Sequence, residues 1–132
     1  MPIEYRIVYE QRLVLAKGNG TLTDQDVFAY QRDVWSRADV AGYDELVDMT
    51  QVEDIVVPST ERVRELARLS AEMDVRSTTS RLAVVASAEF AFGLGRLYEI
   101  LRGLDDRSTK KVGVFRSLDE ALAFLDVSGP LP

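Results

Sequence analysis

The residues whose types could do chemistry fall in separate stretches of the chain. Ser59 and Thr60 follow Pro58 at the start of an amphipathic segment. A hydroxyl there can accept a phosphate, whose charge suits the positive end of a helix dipole. The same serine serves equally as a plain N-cap, its oxygen taking a backbone N–H of the first turn. A second stretch gathers Asp44, Glu45, Asp48, Glu53 and Asp54 around a short apolar run. Paired carboxylates can bind a hard cation or divide acid and base roles. No His, Cys or basic partner lies nearby in sequence to complete a mechanism, and a solvated loop is the plainer account. Gly18-Asn19-Gly20 has neither the Rossmann nor the P-loop spacing and reads as a turn.

The remaining candidates are Phe92, Arg96, Tyr98 and Ile100. They flank the apolar stripe Phe90, Leu94, Leu97, Leu101 and Leu104, so this helix is apolar around most of its circumference. A helix covering one sheet face keeps a polar side. The excess predicts a further contact: a homo-oligomer interface, a protein partner, or one wall of an apolar pocket with Arg96 holding an anionic head group. A deeply packed helix with a structural arginine is the alternative. Gly93 and Gly95 lie in the same helix, where glycine costs stability unless it allows close packing.

Composition narrows the chemistry further. The sequence has no His and no Cys, which removes thiol nucleophiles, disulfides and the commonest ligands of zinc, iron and copper. It also removes the one side chain that titrates near neutrality without help. No calcium-loop spacing occurs, and nothing in the sequence calls for a cofactor. The net charge of −6 argues against nucleic acid or an anionic membrane as main partner. Charges at Glu4, Arg6, Glu10 and Arg12 break the opening apolar run, so no signal peptide is expected. No stretch approaches the roughly 20 apolar residues of a membrane span, and the cytoplasm is the expected location. With 132 residues, 46% of them hydrophobic, a single domain over residues 1–132 is expected.

The elements that must position these residues follow from periodicity. Ile3, Tyr5, Ile7 and Tyr9 alternate with charged residues as a half-exposed strand, and Arg12 to Lys17 reads as its hairpin partner. Thr23 starts a helix with Asp24 and Asp26 in its first turn and Val27, Tyr30, Val34 and Ala38 as its buried stripe, helped by Phe28 and Trp35. Leu46 to Met49 is a short third strand. Pro58 and Ser59 open a second helix carrying Val63, Leu66, Ala67, Leu69 and Met73 inward, with a charged face from Glu61 through Arg76. Leu82 to Ala86 is an unbroken apolar run, the mark of a strand buried on both faces. The third helix runs from about Ala88 to Leu104, and Val112 to Phe115 is the last strand. Ser117 and Glu120 then form a capping box for a final helix carrying Leu118, Ala121, Leu122 and Leu125 inward, stopped by Ser128-Gly129-Pro130. The order ββαβαβαβα implies an α/β fold with a mixed, mostly parallel five-stranded sheet and right-handed crossovers.

That order, together with Leu46-Val47-Asp48-Met49-Thr50-Gln51-Val52, resembles the STAS superfamily, whose switch loop is entered by a strand, an Asp, an apolar residue and a Ser or Thr. The resemblance is closer to the bacterial group named after the stage II sporulation protein AA, also compared with CRAL-TRIO lipid-binding folds. Gly93-Leu94-Gly95-Arg96-Leu97-Tyr98 matches that group's Gly-x-x-Arg-apolar-aromatic motif, and Val114 to Leu122 matches its closing segment. The resemblance implies a non-catalytic regulatory module that works by protein contact, as a dimer or with a partner. It assigns Asp48, Thr50, Ser59 and Thr60 to the switch loop. The Asp-Ser-Ser-Gly phosphorylation motif of the anti-sigma antagonists is replaced here by Ile55-Val56-Val57-Pro58-Ser59-Thr60. The CRAL-TRIO comparison implies instead a carrier or sensor of a small apolar or amphiphilic ligand, with Phe92, Arg96 and Tyr98 against it. An enzyme would have to work with carboxylates alone.

Overall fold

The computed structural model describes residues 2–75 and 78–127, so Arg76 and the expected stop at Ser128-Gly129-Pro130 lie outside the described residues. The strands are β1 (Ile3–Val8), β2 (Leu13–Thr23), β3 (Asp44–Val56), β4 (Ser80–Val85) and β5 (Lys110–Phe115). The helices are α1 (Asp24–Trp35), α2 (Thr60–Met73), α3 (Glu89–Gly103) and α4 (Leu118–Leu125), with short 3-10 turns at Tyr9–Gln11 and Ala38–Val40. The five strands lie in one sheet in sequence order, β1 antiparallel to β2 and every later pair parallel. The α/β order and the mixed sheet are those expected from periodicity.

Successive right-handed crossovers that step the same way along a sheet put their helices on one face. Alternation along the strands shows the two layers. Val14, Val47, Leu82, Val84 and Val114 belong to clusters facing α1 and α3, while Leu13, Leu46, Ala83 and Val85 face α4. Among the described residues α4 alone covers that second face, packing on β3, β4 and β5. α2 rests chiefly on α1 and α3 rather than on the strands. The space beneath α2 is where the candidate site lies.

Local signals set the helix starts. Thr23 Oγ1 accepts from the Asp26 backbone N–H at 3.2 Å, and Asp26 Oδ2 accepts from the Thr23 N–H at 2.9 Å, a reciprocal capping box. Ser117 Oγ likewise accepts from the Glu120 N–H at 3.3 Å. Ser59 holds the N-cap position of α2, but its hydroxyl makes no capping bond.

Gly18-Asn19-Gly20 is not a turn. These residues continue β2, which pairs with β3 through register shifts at Lys17/Asn19 and Gly20/Thr21. Glycine permits this because a Cβ at Gly18 would stand 2.8 Å from Val52 Cγ2, and Gly20 takes φ +64°. β3 is correspondingly longer than the expected Leu46 to Met49. Beyond the Asp48–Val85 pair, β2 and β3 continue as a two-stranded ribbon from Gln51 to Val56, and Glu53 and Asp54 are strand residues rather than loop.

The expected buried stripe of α3 is also corrected. The residues turned to the sheet are Ala91, Gly95, Tyr98 and Arg102, while Phe90 is 61% exposed, Ile100 54% and Leu104 77%. The reason is the closeness of the approach. A Cβ at Gly95 would stand 3.1 Å from Val114 Cγ1, so only small residues fit where α3 crosses β5. Gly93, by contrast, faces open space.

Candidate apolar ligand cavity

Beneath α2, between the sheet and helices α1 and α3, lies a cavity of about 150 Å³. Val47, Leu82 and Val84 form its sheet wall, Val63 and Leu66 its α2 roof, and Ala91, Leu94 and Gly95 its α3 wall. The residues that reach it from β2 and from the ribbon (Leu22, Met49, Ile55) place it toward the carboxyl ends of the parallel strands. That end of an open α/β sheet is where such folds place ligands. Asp24 and Arg62 stand at the rim, Arg62 with its side chain 31% exposed. Arg62 donates to Asp24 Oδ2 at 2.6 Å and to Glu65 Oε2 at 2.6 Å, and its guanidinium lies 4.1 Å from the centre of the Phe28 ring.

The inner end of the cavity is polar. Glu45 projects from the start of β3 and is 4% exposed. Its Oε2 accepts from Tyr30 Oη at 2.7 Å and from Trp35 Nε1 at 3.1 Å, and its Oε1 accepts from Lys110 Nζ at 3.2 Å. Lys110 Nζ also sits 3.3 Å from the centre of the Trp35 ring. A second network continues below. Arg102, 2% exposed in the last turn of α3, donates to Asp74, Tyr98 Oη and Ser108 Oγ. Asp74 Oδ2 also accepts the backbone N–H groups of Thr109 and Lys110. Ser70 Oγ donates to Gln31 Oε1 at 3.0 Å and ties α2 to α1. Among the described residues no buried side-chain polar atom is left without a partner.

Burial governs titration in this cluster. It raises the Tyr30 hydroxyl well above its ordinary value, with the Glu45 charge and its hydrogen bond adding to the effect. It raises Tyr98 as well, against the opposing Arg102 charge. It lowers the Lys110 ammonium, against the opposing attraction of Glu45 and Asp74. The tyrosines therefore stay protonated through the neutral range, Tyr30 donating to Glu45 and Tyr98 accepting from Arg102.

The structure places the candidates from the sequence in different surroundings. Tyr98 lines the cavity. Phe92 packs beside it in the Leu82–Val84–Val114 cluster, with the Arg116 guanidinium 4.0 Å from its ring centre. Arg96 is turned outward, pairs with Glu99 at 3.0 Å and does not line the cavity. Asp48 Oδ1 accepts from the backbone N–H of Thr50 at 2.9 Å and from its hydroxyl at 2.7 Å. Ser59 and Thr60 are exposed at the start of α2, and no hydrogen bond joins them to that pair among the described residues. The acidic group does not gather: Glu45 is buried at the beginning of β3, Asp44 accepts the Arg81 N–H, and Glu53 and Asp54 face solvent.

A solved structure compares with this architecture over nearly its whole length. An uncharacterized protein of the DUF3478 family from Shewanella loihica, with a SpoIIAA-like fold, superposes with a TM-score of 0.58 at 16% identity, covering 93% of each chain. The chain has a SpoIIAA-like fold. No protein-family model matches the chain, and no curated protein matches it either. In this SpoIIAA-like fold the cavity occupies the layer between the sheet and α1–α3, and no helix among the described residues is long and apolar enough to cross a membrane.

Proposed function

We propose that this protein is a non-catalytic binding module, a carrier or sensor of a small apolar or amphiphilic molecule held beneath α2. The supporting observation is the cavity itself. An apolar pocket of about 150 Å³ leaves its lining side chains short of packing partners unless a molecule occupies it. Natural cores keep few voids larger than a water molecule, and one this size is comparable to engineered cavities that take up benzene. Leu94, Gly95 and Tyr98 are the residues of the α3 motif that would touch the ligand. The polar groups at the inner end are committed to one another, an arrangement suited to holding shape rather than to moving protons.

Native mass spectrometry of gently purified protein tests the reading. A co-purifying mass lost on denaturation, and absent from an Ala91→Met variant that fills the space, is the expected result. A wild type free of adduct that also takes up no added apolar compound would overturn it.

A second reading rests on the outer face of α3. Phe90, Leu97 and Leu104 lie two helical turns apart in succession, Phe90 and Leu104 exposed, with exposed Ile100 beside them. A second copy packed antiparallel across a twofold axis at Leu97 sets Phe90 of each chain against Leu104 of the other. Sedimentation analysis of the wild type and of Leu104→Glu tests it. A dimer converted to monomer supports self-association, and a wild-type monomer at high concentration removes it.

A further inference from the structure

We propose that the cavity selects uncharged ligands with a single hydroxyl-type donor over carboxylates of the same carbon skeleton. This rests on the reading that the cavity takes up an apolar molecule, and it names the class of that molecule. The charged residues in the lining are Asp24, Glu45 and Arg62. None of them offers an anion a free positive charge.

At the rim, Arg62 is shared between two carboxylates, those of Asp24 and Glu65, and its face is stacked on Phe28. One guanidinium held between two carboxylates has no free charge for an anion, and Arg32, 5.3 Å from the centre of the same Phe28 ring, does not line the cavity. At the inner end the nearest ammonium, Lys110, sits behind Glu45. It belongs to a separate space of about 40 Å³ with Trp35, Asp74 and Arg102. What turns toward the cavity is therefore the carboxylate and not its counter-ion.

The neutral polar groups complete the selection. Tyr30 gives its hydroxyl proton to Glu45, so its oxygen retains a lone pair as an acceptor. Gln31 uses its carbonyl on Ser70 and directs its amide nitrogen to Met73 Sδ at 3.6 Å. A ligand hydroxyl can donate to Tyr30 Oη. A ligand carboxylate finds the Glu45 carboxylate at the inner end and no uncommitted cation in the lining, with the remaining wall apolar, and an ion buried without a partner is strongly disfavoured. The volume of about 150 Å³ sets the size as a single ring or a short chain.

The test uses toluene, benzyl alcohol and benzoate at neutral pH, a matched set of one skeleton. Binding is read from methyl chemical shifts of Val47, Leu66 and Val84 and from calorimetry. Benzyl alcohol is expected to bind at least about tenfold more tightly than benzoate, and a few-fold more tightly than toluene. Tyr30→Phe is expected to keep toluene binding and remove the alcohol's advantage over it. Glu65→Gln, at a half-buried position beside Arg62, is expected to narrow the gap to benzoate by freeing part of the Arg62 charge. Benzoate binding as tightly as the alcohol would overturn the selectivity while leaving the apolar-ligand reading intact. Absence of binding by all three at saturating concentration would overturn both.

Discussion

The layer between the sheet and helices α1–α3 has two ends, and they solve the problem of filling space in opposite ways. At the amino ends of the parallel strands, Glu45, Lys110, Asp74 and Arg102 are buried as charges, Glu45 paired with Lys110 and Asp74 with Arg102. At the carboxyl ends the walls are almost entirely apolar, and they leave a void. A layer packed only for stability would place apolar side chains at the first end and close the second. The contrast shows where the fold is held rigid and where it keeps room. The charged end clamps the C-terminal ends of α2 and α3 to the sheet, and that clamp lets α2 stand off the strands over the cavity.

Breaking the charged end should have the largest effect. Lys110→Met leaves Glu45 buried without its cation and is expected to destabilise the protein by about 3–5 kcal/mol in chemical denaturation. The double variant Glu45→Gln, Lys110→Met should recover part of that loss. A double variant no better than the single would show that the pair is not coupled.

Filling the apolar end should act in the opposite direction. Ala91→Met is expected to raise stability by about 1 kcal/mol while abolishing uptake of a ring-sized ligand. A destabilised variant would mean that the space is smaller or more rigid than its lining implies.

Tyr30 joins the two ends, and alkaline titration isolates it. Its folded pKa lies well above the ordinary 10.0, so above pH 10.0 the unfolded chain releases a proton that the folded one keeps. Stability must therefore fall as pH rises past 10.0, by up to about 1.4 kcal/mol per pH unit for this group. Thermal melts of Tyr30→Phe should show a shallower alkaline limb, and an unchanged slope would place the responsible group elsewhere.

The smallest effect is expected outside both ends. Arg37 hydrogen-bonds Asp39 on the surface and holds its carboxyl at about 2, with Tyr9 helping. Arg37→Ala should let Asp39 titrate closer to its ordinary range in an NMR titration, with no measurable change in melting temperature.

Much of this architecture was legible in the sequence because its signals are local. The unbroken run Leu82 to Ala86, the alternation from Ile3 to Tyr9 and the Thr23/Asp26 cap each announce an element within a few residues. The errors arose where partners distant in sequence decide. Gly18-Asn19-Gly20 carries turn composition, yet the ladder to Gln51 and Val52 keeps it in β2. The expected α3 stripe is exposed at Phe90 and Leu104, while its Leu94 lines the cavity, because the sheet comes too close at Gly95 to admit a larger side chain there. The clamp was not legible: Lys110 and Glu45 are 65 residues apart, and neither spacing nor composition joins them. The available hint was a carboxylate at an inward register of a strand, two residues before Val47.

The ribbon of β2 and β3 has a consequence for how the molecule behaves in company. Beyond the Asp48–Val85 pair, β3 has a neighbouring strand on one side only among the described residues, so its other border presents backbone donors and acceptors without a ladder partner from Gln51 to Val56. Such a border is a template on which another chain's strand can grow. Glu53 and Asp54 are exposed on this stretch, and their charge disfavours the addition of a like-charged strand.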